Sequence, residues 1–249
     1  MKIQIINPIV IFGGFLSYAG LYSTMRDDLT SITGQPVFIV DTKGYDWLPS
    51  ITIHGWIYLL RKLDQAVEAA LKTTSSGKVI LVAHSAGGVL ARLYLSSNPF
   101  PDVKLLGREC VNQLVTLGSP HNNQSGLTRG GSMSRWINKR YPGSIYAPQV
   151  KYFSVAGKFN CGNPFGTRKE RWIYQNYKKI IGKGDVWGDG LIPIEAAILE
   201  GSEKIVLEGV SHAKIFDKKW YGSEDILCNL FSKREKEQLD LTTKCNRMN

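Results

Sequence analysis

Ser85 stands in a sequence setting that could turn its hydroxyl group into a nucleophile. It follows the apolar run Lys78–Ala83 and lies in the stretch AHSAGG, which is rich in small residues. A serine on the tight turn between a strand and a helix is lifted clear of the sheet, and the residues two before and two after it must be small. Here these residues are Ala83 and Gly87, so one Ala replaces a Gly of the usual G-x-S-x-G pattern. The pattern favours a catalytic serine over the alternative, a small-residue junction with an incidental serine.

A serine hydroxyl is a weak nucleophile at neutral pH, so it needs a positioned base that is itself oriented by an acid. When the nucleophile lies on such a turn, the acid and then the base follow it along the chain. His212 comes directly after the last apolar run, Lys204–Leu207, where a loop could bring its imidazole to Ser85. His121 also follows Ser85. It is the alternative base, and otherwise we expect it to line the substrate pocket.

The acid can be sought by elimination. No Asp or Glu lies between residues 118 and 169, so the loop after the apolar run Val111–Leu117 cannot supply one. The later stretch GKGDVWGDGLIPIEAA holds Asp185 and Asp189. We favour Asp189, which lies between two glycines shortly before Pro193, as the carboxylate that orients the base. Asp185 is the alternative acid, and a purely structural role for Asp189 would be to cap a helix that begins near Pro193.

Hydrolysis through a serine also requires two backbone N–H groups directed at the oxyanion that forms. Ala86, the residue after the nucleophile, should provide one. Gly13 and Gly14 end the apolar run Ile9–Phe12, and such a turn would direct the N–H of Phe15 inward while Gly14 lines the substrate site. The alternative is a plain Gly-Gly turn.

The elements that position these residues alternate along the chain. Six short apolar runs, continuous rather than alternating, predict strands that are covered on both faces and hence a parallel sheet. The runs are Ile9–Phe12, Val37–Val40, Lys78–Ala83, Val111–Leu117, Val150–Val155 and Lys204–Leu207. Helical patterns start at Ser17, at Trp56 and after Ser85, which predicts a single α/β sandwich in residues 1–232. We expect a cap-like insertion at about 118–149, and a second at 157–184, and a polar tail at 233–249.

Five motifs, in this order along the chain, resemble those of the α/β-hydrolases of the lipase and esterase type. They are PIVIFGGFLSY, AHSAGG, LVTLGSPH, GDGLIP and GVSHAKI. The likeness covers roughly Ile9 to Phe231, and the sequence most resembles lipase-like hydrolases of cyanobacteria and plastids. The resemblance implies a three-layer sandwich with a mostly parallel central sheet, a lipid or small ester as substrate, and no metal or organic cofactor. A thioesterase or an acyltransferase could use the same three residues, and the fold also serves ligand receptors without catalysis. Epoxide hydrolases and dehalogenases are excluded because they need an acidic nucleophile in place of Ser85.

The chain's net charge of +10 is concentrated in one segment. Between His121 and Gly184 there are twelve Lys and Arg residues, against Glu170 alone, together with ten aromatic residues. Cations mixed with Trp and Tyr suit the headgroup zone of an anionic membrane, so we expect peripheral contact there. A solvated basic surface is the main alternative. Binding of single-stranded nucleic acid would use similar residues, but we expect no nucleic-acid partner.

The remaining composition bounds the cellular setting. The four cysteines are scattered, with no C-x-x-C pair, which predicts neither a zinc site nor a disulfide framework and fits a reduced, cytoplasmic interior. No apolar run is long enough to span a membrane. The N-terminal stretch could pass for a signal peptide, but Asn7 and Pro8 interrupt it and its removal would destroy the predicted oxyanion loop.

Overall fold

A computed structural model describes residues 3–125 and 129–232 of the chain. Its centre is a six-stranded sheet with the strand order β3-β2-β4-β5-β6-β9, in which every neighbouring pair is parallel. The strands of the structure are β1 (Ile3–Gln4), β2 (Ile9–Phe12), β3 (Val37–Ile39), β4 (Val79–His84), β5 (Val111–Leu117), β6 (Lys151–Lys158), β7 (Asn160–Cys161), β8 (Trp187–Gly188), β9 (Glu203–Glu208) and β10 (Phe231–Ser232). All six predicted strands are therefore confirmed, with ends that shift by a few residues at most.

Helices cover both faces of this sheet. They are α1 (Ser23–Thr33), α2 (Ile53–Leu71), α3 (Ala86–Tyr94), α4 (Arg129–Arg140), α5 (Arg168–Ile181), α6 (Ile194–Ala197) and α7 (Glu224–Leu230), with short 3₁₀ helices at Ala19–Tyr22, Gly44–Ile51 and Gly107–Glu109. Two of the predicted helices have different bounds. The helix expected from Ser17 is a 3₁₀ turn followed by α1, and α2 starts before Trp56 because the Thr52 hydroxyl caps it by accepting a hydrogen bond from the Gly55 N–H.

The core is divided by the sheet into two apolar layers. Side chains alternate between the two faces of a strand. Val10 and Phe12 of β2 pack in the layer with α2 and α3, whereas Ile9 and Ile11 pack in the layer with α1 and α7. This burial on both faces explains why the strands have continuous apolar sequences.

The two predicted insertions differ in structure. Segment 118–149 contains α4, which packs against α3. Met133 and Ile137 of α4 lie in the apolar layer that contains α2 and α3. Segment 157–184 contains the short strand β7 and helix α5, which lies next to the loop of Asp189. A cap role for either segment stays a prediction, and the predicted polar tail 233–249 lies outside the described residues.

Candidate active site

Ser85 occupies a sharp turn between β4 and α3. Its backbone has φ 54° and ψ −129°, a conformation that costs a non-glycine residue energy and is common at functional sites. Ala83 is fully buried in β4, and a Cβ atom on Gly87 would clash with the carbonyl oxygen of Gly13. Small residues are thus needed here because α3 passes directly over the end of β2, as the sequence pattern predicted.

Three side chains from distant parts of the chain form a continuous hydrogen-bonded series. His212 Nε2 lies 3.0 Å from Ser85 Oγ, and His212 Nδ1 lies 2.8 Å from Asp189 Oδ2. The backbone adds a second link, since the His212 N–H donates to the Asp189 carbonyl oxygen at 2.8 Å. The side chain of Asp189 is almost fully buried. This is the geometry of a nucleophile, a base and an orienting acid.

The carboxylate of Asp189 is held by four donors. Oδ1 accepts from the backbone N–H groups of Leu191 at 3.0 Å and Ile192 at 2.7 Å, while Oδ2 accepts from His212 and from the Tyr221 hydroxyl at 2.9 Å. Burial and the nearby carboxylate raise the pKa of Tyr221 well above its usual value, so this hydroxyl stays protonated and donates. An ionised carboxylate accepts only, so it keeps a proton on His212 Nδ1 and leaves the Nε2 lone pair facing Ser85.

The two residues predicted to supply oxyanion donors, Ala86 and Phe15, both lie near Ser85. Ala86 is the first residue of α3, and the first N–H groups of a helix have no intrahelical acceptor and favour negative charge. Gly14 lies so close that a Cβ atom on it would approach Ser85 Cβ to 2.6 Å. Phe15, the next residue of this loop, lines the same cleft. The loop after β2 thus lies against the nucleophile.

A cleft of about 420 Å³ opens over Ser85 and His212. Its wall is mainly apolar and comes from the loops after β2 and β9 and from the loop of the acid. The apolar side chains that line it are Phe15, Leu16, Leu21, Leu191, Ala213, Ile215, Phe216 and Trp220. Such a surface suits a hydrocarbon chain rather than a charged substrate.

Two alternatives raised by the sequence lie away from this cleft. His121 is fully buried, and its Nε2 lies 3.1 Å from Thr116 Oγ1, so the ring turns back into the core and gives no support to a direct substrate contact. Asp185 is exposed on the loop before β8. Among the cleft-lining residues, Gly14 is present and His121 is absent.

Four further residues of the site were not predicted from the sequence. His84, Tyr22 and Trp220 line the cleft, and Tyr221 binds the acid. His84 stands inside the AHSAGG motif, so its position next to the nucleophile was a usable signal. The two tyrosines had no such signal because they meet the site only through the fold.

Across residues 3–125 and 129–232, no three His, Cys, Asp or Glu side chains are grouped as ligands for a metal ion. In the same described part of the chain, no helix is long and apolar enough to cross a membrane.

Comparison with known proteins gives one family model and several solved structures. The model of the PGAP1-like alpha/beta domain matches residues 57–134, which include the turn at Ser85. No curated protein sequence matches significantly. Phospholipase PlaB from Legionella pneumophila superposes with a TM-score of 0.54 at 15% identity, covering 84% of this chain and 54% of PlaB. The structure of PlaB in complex with thio-NAD gives a TM-score of 0.55 at 15% identity, covering 84% of this chain and 52% of PlaB.

Lipase B from Aspergillus fumigatus has a TM-score of 0.48 at 13% identity, covering 80% of this chain and 44% of the lipase. The present chain thus spans about half the length of these proteins. The narrower resemblance to lipase-like hydrolases of cyanobacteria and plastids stays a prediction. The family model and the PlaB structures confirm the broader one: the chain has the fold of the α/β-hydrolases.

Proposed function

We propose that this protein is a serine hydrolase that cleaves carboxylic esters of lipids. The observation that supports this most directly is the hydrogen-bonded series Ser85–His212–Asp189 at the base of an apolar cleft. Similarity to a phospholipase adds the general class, since its name describes an enzyme that acts on lipid esters.

The proposed reaction has two halves. Ser85 Oγ attacks the ester carbonyl while His212 Nε2 takes the hydroxyl proton, and the N–H groups of Phe15 and Ala86 stabilise the oxyanion. His212 then gives the proton to the leaving alcohol as the C–O bond breaks, which leaves an acyl-enzyme. A water molecule, deprotonated by His212, attacks this ester and releases the carboxylic acid and free Ser85. Asp189 stabilises the imidazolium in both halves.

The apolar cleft favours a substrate with a hydrocarbon acyl chain. Each methylene group that leaves water contributes about 0.8 kcal/mol, so kcat/KM should rise about fourfold per added methylene until the cleft is filled. A thioester or an alcohol acceptor could enter the same cleft, so thioesterase and acyltransferase activities are the alternatives within this mechanism.

The test is a hydrolysis screen with matched protein variants. We expect turnover of p-nitrophenyl esters that increases with acyl length, and turnover of at least one of galactolipid, phospholipid or acyl-CoA. Ser85→Ala should abolish turnover, whereas Ser97→Ala, a matched serine on the loop after α3, should retain it. Equal rates in Ser85→Ala and the unmodified protein would refute the proposal, and so would the absence of turnover of any ester. A preference for acyl-CoA would favour the thioesterase.

We further propose that the protein contacts an anionic membrane with the surface around the cleft. Loops that follow parallel strands share one edge of the sheet, and the exposed apolar side chains there are Phe15, Leu16, Tyr18, Leu21, Tyr45, Leu48, Ile51, Phe165, Trp172, Ile215 and Phe216. Phe165 and Ile215 are 94% and 88% exposed. Lys169 and Lys214 lie beside them, and the basic segment 121–184 carries the chain's excess of positive charge, with twelve Lys and Arg residues against Glu170 alone. Apolar side chains next to cations match an anionic lipid surface.

Vesicle sedimentation tests this contact. We expect more binding to vesicles with anionic lipid than to purely zwitterionic vesicles, and weaker binding in high salt. Phe165→Ala and Ile215→Ala together should reduce binding. The control is Ile145→Ala, an exposed side chain on the loop that leads into β6, hence at the opposite edge of the sheet. Binding independent of anionic lipid at low salt, or equal loss in the control, would contradict the proposal.

A further inference from the structure

His84 is a buried imidazole that the proposed reaction does not use. It is the last residue of β4 and directly precedes Ser85, and its ring centre is 4.7 Å from that of His212. Its Nε2 lies 2.9 Å from the carbonyl oxygen of His212, and its Nδ1 lies 2.9 Å from the hydroxyl of Tyr22. Both ring nitrogens thus have partners, and both partners belong to the site.

The direction of each hydrogen bond follows from the chemistry of the partners. A carbonyl oxygen only accepts, so Nε2 of His84 carries a proton. Burial, together with the neighbouring His212, lowers the pKa of His84 to about 3, so the ring is neutral and Nδ1 accepts from the Tyr22 hydroxyl. The same hydroxyl oxygen accepts from the Gly14 N–H at 3.1 Å.

These bonds form one chain across the active site. It runs from the Gly14 N–H through Tyr22 and His84 to the backbone of His212. Gly14 and Phe15 share the oxyanion loop, whose other side is fixed by a hydrogen bond of 2.6 Å from the Ser17 hydroxyl to the Gly14 carbonyl oxygen. The chain therefore joins the oxyanion loop to the residue that supplies the base.

We propose that His84 and Tyr22 are positioning residues that fix the oxyanion donors relative to the base His212. This role rests on the proposed hydrolase function. Buried hydrogen bonds in a chain strengthen one another and hold their members rigidly. A small displacement of a donor or a base from the reacting atoms is costly in rate, because both groups act at the same moment.

The neutral state of His84 belongs to the same role. During attack His212 becomes an imidazolium, and a second positive charge so close in a buried setting would oppose its formation. A neutral ring can donate at one edge and accept at the other without adding charge. A glutamine side chain can also donate and accept, whereas phenylalanine or leucine can do neither.

Steady-state kinetics on a p-nitrophenyl ester test the proposal. Tyr22→Phe removes one oxygen and interrupts the series of hydrogen bonds between Gly14 and His212. We therefore expect kcat to fall about 10- to 100-fold, with KM within about twofold of the unmodified protein. His84→Leu should fall at least as far, and His84→Gln should recover most of the loss. Tyr94→Phe is the matched control, because this fully buried tyrosine donates to Asp64 away from the site.

A second readout is the rate at which a fluorophosphonate modifies Ser85, which does not depend on the natural substrate. We expect Tyr22→Phe to slow this reaction and Tyr94→Phe to leave it unchanged. A reactive protein whose Tyr22→Phe variant retains kcat and the modification rate would overturn the positioning role alone. A protein that turns over no ester and is not modified would overturn the proposed function, and this role with it.

Discussion

Replacing Asp189 by Asn is a severe test of the site because the carboxylate accepts four hydrogen bonds and an amide has only one oxygen. Oδ1 accepts from two backbone N–H groups, and Oδ2 accepts from Tyr221 and His212. If the amide oxygen takes the place of Oδ1, the NH₂ group faces His212 and donates to its Nδ1. His212 must then carry its proton on Nε2, where it can no longer accept the proton of Ser85. The reverse orientation would place the NH₂ group against two backbone donors.

The expected loss is therefore in the chemical step. An enzyme whose base is held in the wrong tautomer loses about 10³- to 10⁴-fold in kcat, which corresponds to about 4 to 5.5 kcal/mol of transition-state stabilisation. KM should change little, because Asp189 is buried behind His212 and does not line the cleft. Steady-state hydrolysis of a p-nitrophenyl ester measures both constants, and circular dichroism checks that the variant is folded.

The control for this experiment lies four residues earlier in the chain. Asp185 is exposed, so Asp185→Asn removes the same charge from the same stretch without touching His212. We expect its kcat to equal that of the unmodified protein. A folded Asp189→Asn variant with kcat within tenfold of the unmodified protein, or an equal loss in Asp185→Asn, would refute the reasoning.

Three further predictions follow from contacts around the site. Tyr221→Phe should lower the free energy of unfolding by about 1 to 3 kcal/mol, because the Gly157 N–H then loses its acceptor, and an unchanged denaturation midpoint would argue against this. The neutral His84 makes stability depend on pH: the unfolded chain takes up a proton near pH 6.5 and the folded chain only near pH 3, so stability is fully present above pH 6.5 and is lost as the pH falls towards 3. His84 should contribute about 1.4 kcal/mol per pH unit to the slope below pH 6, in addition to the contribution of the buried His121, whose pKa is also lowered by burial. His84→Gln should therefore reduce the slope measured by denaturation at pH 5 and 6, whereas an unchanged slope would contradict a neutral buried ring. Gly87→Ala should abolish activity or folding through a clash with the oxyanion loop, while Ala83→Gly should be tolerated, and equal esterase rates in the two variants would show that the turn is not closely packed.

The sheet and the positions of Ser85 and His212 could be predicted because each is tied to a local pattern. Strands buried on both faces have continuous apolar sequences, and Ser85 and His212 each follow such a run closely. Loops after parallel strands meet at one edge, so residues far apart along the chain can be expected together. Asp189 needed elimination rather than a pattern, since the helix α5 separates it from β6.

The rest depends on packing that no local pattern encodes. Tyr22 and His84 are 62 residues apart, and Tyr221 is 32 residues from the acid that it binds. His121 follows a strand just as His212 does, yet its ring bonds to Thr116 inside the core. Position after a strand predicts the edge of the sheet that a residue occupies, but the direction of its side chain is decided by its neighbours.

The most direct test of the central claim is covalent modification of the serine itself. The folded protein is treated with a fluorophosphonate, digested, and its peptides are analysed by mass spectrometry, beside a His212→Ala variant. We expect one modified residue, Ser85, and loss of the modification in the variant. A folded protein that is not modified, or one modified equally with and without His212, would contradict it.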